Sequence, residues 1–110
     1  MTHVGVVLSL ALLAGCAGDR SITHGADGER EWNRKLHAAV PLGTPRDSAV
    51  ATLERNGFRC VAPNQSRESR WCDKWSGGKM AIVRRRWQAV IEFEGERVTT
   101  VRASTNLTGP

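Results

Sequence analysis

An antiparallel hairpin is predicted by the stretch Ala89-Val90-Ile91-Glu92-Phe93-Glu94-Gly95-Glu96-Arg97-Val98. Apolar and polar residues alternate along it as far as Glu94, which is typical of a strand with one buried face. Glu94-Gly95 then turns the chain, and the returning strand carries Val98 and Val101. A two-residue loop would pair Ile91 with Val98 on one face of this hairpin.

The alternation continues upstream of the hairpin to Met80. Its apolar side consists of odd-numbered residues with Arg85 as the exception, so it predicts one long twisted strand or two short strands divided at the arginines. Two further strands are predicted over Phe58 to Val61 and over Arg70 to Trp75. In the second of these, alternate residues share one face: Trp71, Asp73 and Trp75.

A first helix is predicted before the strands, over Glu29 to Val40. Its apolar residues recur at helical spacing, Asp27 can cap it, and Pro41 stops it.

A second helix has clear signals at both ends. Thr44 is expected as its N-cap, with Pro45 at the favoured first helical position. The helix is expected to end at Gly57 in the left-handed conformation. Phe58 would then fold back on Leu53, as in a Schellman motif.

The order of these elements predicts an α+β fold: two N-terminal helices packed on a three- or four-stranded antiparallel sheet. Such an arrangement buries one sheet face and leaves the other available. The folded domain is expected over residues 29–105, followed by a frayed tail over residues 106–110.

The N-terminal stretch carries an apolar run from Val4 to Leu13 that is too short to span a bilayer but suits a secretory signal. The run ends in Leu13-Ala14-Gly15-Cys16, which resembles a bacterial lipobox. The resemblance implies a signal peptide over residues 1–15 and an acylated Cys16 at the start of the mature chain. An ordinary signal peptide with an incidental cysteine, or an uncleaved anchor, is the alternative.

The segment behind the lipobox, residues 16–28, is rich in Gly, Ser, Thr and Asp and is expected to be a flexible tether. Ala17 stands where bacterial signals that retain lipoproteins in the inner membrane commonly have Asp. By that resemblance we expect the chain to be anchored to the outer membrane, with its domain in the periplasm.

Two further cysteines, Cys60 and Cys72, form an even pair once Cys16 is acylated. In an exported protein such a pair predicts a disulfide. A redox or metal pair is the alternative, but the spacing is not C-x-x-C and no His lies nearby in the sequence.

The excess of positive charge lies in one segment. The chain has 16 Lys and Arg against 11 Asp and Glu, a net charge of +5, and residues 67–86 supply that surplus. The candidate partner-binding residues mix cations with indoles: Arg70, Trp71, Lys74, Trp75, Arg84, Arg85, Arg86 and Trp87. Behind an export signal this mixture favours anionic lipid, lipopolysaccharide, glycan or an acidic protein surface over nucleic acid. The alternative is a solvated edge strand with the tryptophans in the core.

The lipobox, the tether, the two helices and the closing hairpin together resemble the SmpA/OmlA (BamE-like) lipoproteins. Two stretches carry the likeness: Leu42-Gly43-Thr44-Pro45 at the second helix, and the hairpin from Ala89 to Val98. The resemblance implies a non-catalytic accessory lipoprotein that binds an envelope protein complex in outer-membrane assembly or envelope integrity.

Catalytic residues are not apparent in the sequence. Glu92, Glu94 and Glu96 alternate near the hairpin end, which is more typical of solvated edge positions than of acid–base chemistry. We therefore expect no enzyme, no cofactor and no metal. An inhibitor of an exported enzyme is a further alternative.

Overall fold

A computed structural model describes residues 21–77 and 82–109 of the chain. The predicted signal peptide and Cys16 lie outside the described residues, as does the start of the predicted alternation at Met80 and Ala81.

In the described part of the chain, two helices precede four strands. The helices are α1 (Glu29–Ala39) and α2 (Arg46–Arg55), and the strands are β1 (Arg59–Val61), β2 (Ser69–Ser76), β3 (Arg84–Glu94) and β4 (Arg97–Thr108). The strands form one antiparallel sheet in the order β1-β2-β3-β4. The predicted α+β class, with two helices and an antiparallel sheet, is confirmed.

The core lies between the helices and one face of the sheet, and its centre is Trp32 of α1. The Trp32 ring stacks on Phe58 at 5.4 Å between centroids and meets Trp87 edge-on at 5.7 Å. Its indole N–H donates to the carbonyl of Gln88 at 3.0 Å, so the buried polar atom has a partner. This bond links α1 directly to the backbone of β3.

The helix ends differ from the predicted ones at their N-termini. Neither Asp27 nor Thr44 caps a helix through its side chain. The Thr44 hydroxyl donates to the carbonyl of Pro41, and the Thr44 carbonyl accepts from the Val98 N–H at 2.9 Å. Thr44 is therefore held by the preceding turn and by β4, which leaves Pro45 as the residue before the first helical turn.

The C-terminus of α2 is the predicted Schellman motif. Gly57 has a φ of +88°, the Phe58 N–H donates to the Leu53 carbonyl at 3.0 Å, and the Gly57 N–H donates to the Glu54 carbonyl at 3.0 Å. This turn points Phe58 into the core, where it meets Trp32.

The β3–β4 hairpin has a two-residue loop, as predicted, but the loop consists of Gly95 and Glu96 instead of Glu94 and Gly95, and the register differs. Val98 pairs with Phe93 and not with Ile91, which pairs with Val101. The register shifts between Glu92 and Phe93, so that Thr99 is an extra residue in β4. Because of this bulge, Val98 and Val101 both face the core although they are three residues apart.

The C-terminal end of β4 also differs from the prediction. Asn106 pairs with Arg86 and Thr108 with Arg84, so residues 106–108 extend the strand and are not a frayed tail. The long β3 provides the partner that the sequence pattern did not reveal.

The segment before α1 is docked on the domain. The Ile22 N–H donates to the side-chain oxygen of Asn56 at 2.9 Å, and Ile22 and Ala26 pack against the core. Residues 21–28, the described part of the predicted tether, therefore belong to the folded unit.

Candidate functional site

A disulfide fixes the edge of the sheet beside the candidate site. Cys60 lies directly opposite Cys72 in the β1–β2 pair, and the two are bonded, as predicted. Cys72 points into the core, so the bond secures the three-residue β1 from the buried side. It thereby holds Val61 opposite Trp71.

The eight predicted partner-binding residues do not share one surface, because successive side chains of a strand point to opposite faces. Trp87 is buried in the core at 4% exposure. Lys74 lies on the helix side with Cys72, and Arg85 on the same side with Trp87. Four of the remaining five lie on the opposite face of the sheet, which we call the outer face: Trp71, Trp75, Arg84 and Arg86.

Arg70 lies at the start of β2 and serves the local backbone. Its Nη1 donates to the carbonyls of Ser66 and Ser69 at 3.1 and 2.8 Å. It is thus a half-buried stabiliser of the loop before β2.

The outer face keeps large apolar side chains exposed. Val61 is 51% exposed, Trp71 55% and Trp75 41%. The core and both helices lie on the other side of the sheet, so packing within the domain does not account for these three side chains.

A shallow depression of about 130 Å³ lies in the outer face between β1, β2 and β3. Its walls include Val61, Trp71, Asp73, Arg86 and Val90, which we call the outer-face patch. Drug-sized ligands usually occupy about 300–1,000 Å³. The depression therefore suits a protruding side chain better than a small molecule.

The polar part of the outer-face patch is already organised. Arg86 donates to Asp73 Oδ2 from Nη2 at 2.6 Å and from Nε at 3.2 Å. Its guanidinium also lies over the Trp75 ring, 5.5 Å from the centroid. A guanidinium held in this way loses little entropy on binding, which favours its use at an interface.

The charge of the outer face is more balanced than the sequence suggests. Arg86 is paired with Asp73, and Arg102 Nη2 lies 3.9 Å from Glu92 Oε2. Lys74 and Arg85 lie on the helix side and add no charge to the outer face. The positive surplus that remains on this face comes from Arg59 and Arg84, which have no ion pair within the described residues.

Lys74 instead anchors the segment before α1. Its Nζ donates to the hydroxyls of Ser21 at 2.6 Å and Thr23 at 3.1 Å, and lies 5.8 Å from the centre of the Phe58 ring. Burial lowers the pKa of Lys74 below its ordinary value. Since the contacts with Ser21 and Thr23 join residues about fifty positions apart, no local sequence signal indicates them.

The sequence reasoning did not single out Val61 and Val90 as parts of the patch. The alternation along β3 does predict Val90 on the outer face, because the even-numbered residues point away from the buried, odd-numbered ones. Val61 is placed there only by its pairing with Trp71.

Residues 21–77 and 82–109, the described part of the chain, contain neither a metal-binding cluster nor a membrane-spanning helix. No three His, Cys, Asp or Glu side chains there lie close enough together to hold a metal ion. None of the helices in those ranges has the length and apolar character needed to cross a membrane.

Comparison of the chain with protein-family models, with curated proteins and with solved structures finds no match.

Proposed function

We propose that this chain is a non-catalytic envelope lipoprotein that acts as an accessory subunit by binding another protein through the outer face of its sheet. The observation that carries the proposal is the outer-face patch, where three apolar residues and an ordered Arg86–Asp73 pair surround a shallow depression. Tryptophan and arginine dominate the binding energy of protein interfaces, and Trp71 offers such an anchor.

The charge balance around the outer-face depression, where Arg86 and Asp73 are paired, favours a protein partner over an anionic lipid or glycan. Phosphate-rich ligands are best held by several unpaired cations. Here Arg86 and Arg102 already have carboxylate partners. A protein surface can instead complement a mixture of apolar groups, cations and carboxylates.

The lipobox supplies the location in this proposal. Acylation of Cys16 would anchor the chain to a membrane, and two or three acyl chains hold a protein stably where one does not. The disulfide is in keeping with an oxidising compartment such as the periplasm. The resemblance to the SmpA/OmlA (BamE-like) lipoproteins stays part of the proposal, because it implies the same order of helices and strands.

Site-directed photocrosslinking in intact cells tests the proposal. A photoreactive amino acid replaces Trp71 in one variant and Asn33, an exposed residue of α1, in the matched control. We expect a discrete protein adduct from position 71 that is absent from position 33. The adduct is then identified by mass spectrometry.

A binding measurement with the purified partner completes the test. Trp71→Ala should weaken binding by at least about tenfold, the effect of an interface hot spot. Leu42→Ala, which truncates another exposed apolar side chain, should leave binding unchanged. The proposal fails if position 71 gives no specific adduct, or if both substitutions affect binding equally.

A further inference from the structure

A second exposed apolar cluster lies at the end of the sheet where β2 ends, β3 begins and β4 ends. Its members are Trp75, Ile82, Val83 and Leu107, with exposures of 41%, 75%, 51% and 62%. Together with Arg84 and Arg85 we call this cluster the sheet tip. It lies at the opposite end of the sheet from the β3–β4 hairpin.

The strand pairing brings these residues together from separate parts of the chain. Leu107 lies opposite Arg85, and Trp75 lies opposite Arg86. A side-chain carbon placed on Gly109 would be 3.5 Å from Cγ2 of Val83, so the end of β4 also borders the β3 start. The apolar side chains therefore lie at one end of the sheet, with Trp75 on the outer face and Leu107 on the helix side.

The guanidinium groups of the two arginines of the sheet tip lie over aromatic rings. The Arg84 guanidinium lies 4.9 Å from the centre of the Trp75 ring, and that of Arg85 lies 5.3 Å from the centre of the Trp87 ring. Neither belongs to an ion pair within the described residues. Apolar side chains combined with tryptophan and unpaired arginine are typical of a surface that enters the headgroup layer of a membrane.

The entry of the chain into the domain lies at the same end of the sheet. The Ser21 hydroxyl is 2.6 Å from Lys74 Nζ, and Lys74 directly precedes Trp75. Cys16 is five residues upstream of Ser21, so the connecting chain reaches at most about 17 Å. An acyl group on Cys16 would therefore bring a bilayer close to this end of the domain.

We propose that the sheet tip rests in the headgroup layer of the membrane that holds the acyl chains of Cys16. Ile82, Val83 and Leu107 contact the apolar boundary, and Arg84 and Arg85 bind lipid phosphates. The strands then run away from the membrane, and the outer-face patch faces sideways, where it is accessible to a protein partner. This inference rests on the acylation in the proposed function.

Two exposed leucines provide a matched pair of probe positions. Leu107 is 62% exposed at the sheet tip, and Leu42 is 64% exposed. Leu42 lies toward the opposite end, because the N–H of its neighbour Gly43 donates to the Val98 carbonyl beside the hairpin. In Leu107→Cys and Leu42→Cys, the new thiol can be labelled selectively, since Cys60 and Cys72 are bonded to each other and an acylated Cys16 has no thiol.

The experiment uses the full acylated chain in phosphatidylethanolamine–phosphatidylglycerol vesicles that contain a nitroxide-labelled lipid. A fluorophore on residue 107 should be quenched at least about twofold more than one on residue 42, because interfacial segments enter the headgroup boundary by about 5–10 Å. Adding Arg84→Gln and Arg85→Gln should reduce the quenching at residue 107. Equal quenching at the two positions overturns the proposal.

Mass spectrometry of the same samples separates this inference from the proposed function. An acylated Cys16 with an unquenched residue 107 overturns the sheet-tip proposal alone and leaves the protein-binding role standing. A mature chain without acyl groups overturns the location in the proposed function and, with it, the sheet-tip proposal.

Discussion

The two faces of the sheet are built from the same strands and differ in how their side chains are used. On the helix side of β3, Trp87, Ala89, Ile91 and Phe93 are at most 4% exposed. On the outer face, the alternate residues of β3, such as Gln88 and Val90, remain accessible. The side chains on the helix side stabilise the fold, whereas those on the outer face are available for contacts with other molecules.

The tryptophans show this division most clearly. The buried indoles of Trp32 and Trp87 both donate their N–H groups, to the Gln88 carbonyl at 3.0 Å and to the Ser76 hydroxyl at 3.1 Å. Trp71 is 55% exposed and contributes a wall to the outer-face depression. A large aromatic side chain left at the surface next to a depression is better explained by a partner than by folding.

The largest expected effect is that of removing a buried indole. Trp32→Ala should lower the free energy of unfolding by about 3–5 kcal/mol, because it opens a cavity against Phe58 and Trp87 and leaves the Gln88 carbonyl without its donor. Trp71→Ala should cost about 1 kcal/mol or less. Urea unfolding followed by far-ultraviolet circular dichroism measures both. Equal losses would show that the two faces do not differ in this way.

The next effect concerns the disulfide that secures the edge of the outer face. The bond joins residues 12 positions apart, and in the chain-entropy model its removal costs about 3 kcal/mol. The double variant Cys60→Ala, Cys72→Ala should therefore unfold at a lower urea concentration.

Hydrogen exchange locates the effect of that change. The amides of β1 should exchange faster in the double variant. The exchange rates of the β3 amides should change only as much as the loss of global stability requires. Reduction of the parent chain by dithiothreitol serves as the control, since it breaks the bond without changing side-chain volume. If β1 keeps its protection in both cases, the disulfide does not hold that edge.

The predictable parts of the fold were those with local signals. The Schellman motif at Gly57 depends on neighbouring residues alone, and the buried phase of β3 depends on strict alternation. The spacing of Val98 and Val101 was a usable signal for the bulge, because two residues three apart cannot share a face of a regular strand. The pairing of residues 106–108 and the docking of Ser21 depend on distant partners and had no local signature.

The candidate site was predicted as a set of residue types but not as a surface. Once each strand is assigned, the alternation of side chains places Arg84 and Arg86 on the face opposite to Arg85. It likewise places Trp71 and Trp75 on the face opposite to Lys74. The ion pair between Arg86 and Asp73 could not be predicted from this alternation, because the two residues lie diagonally across neighbouring strands. The position of Val61 likewise required the register set by the disulfide.

The smallest expected effect concerns the titration of Lys74 on the helix side. On the outer face Arg86 has a carboxylate partner, whereas Lys74 on the helix side donates only to hydroxyls among the described residues and has its pKa lowered from 10.5 by burial. Between the lowered pKa and the ordinary one, the folded chain binds fewer protons than the unfolded chain. The contribution of Lys74 to stability therefore rises as the pH rises through that window, and at lower pH its burial is a constant cost.

The titration of its side-chain carbon resonances by NMR, in the folded chain and in urea, should give the lower pKa in the folded state. Lys74→Met should flatten the alkaline slope of stability, and the same slope in the variant would show that another group causes it.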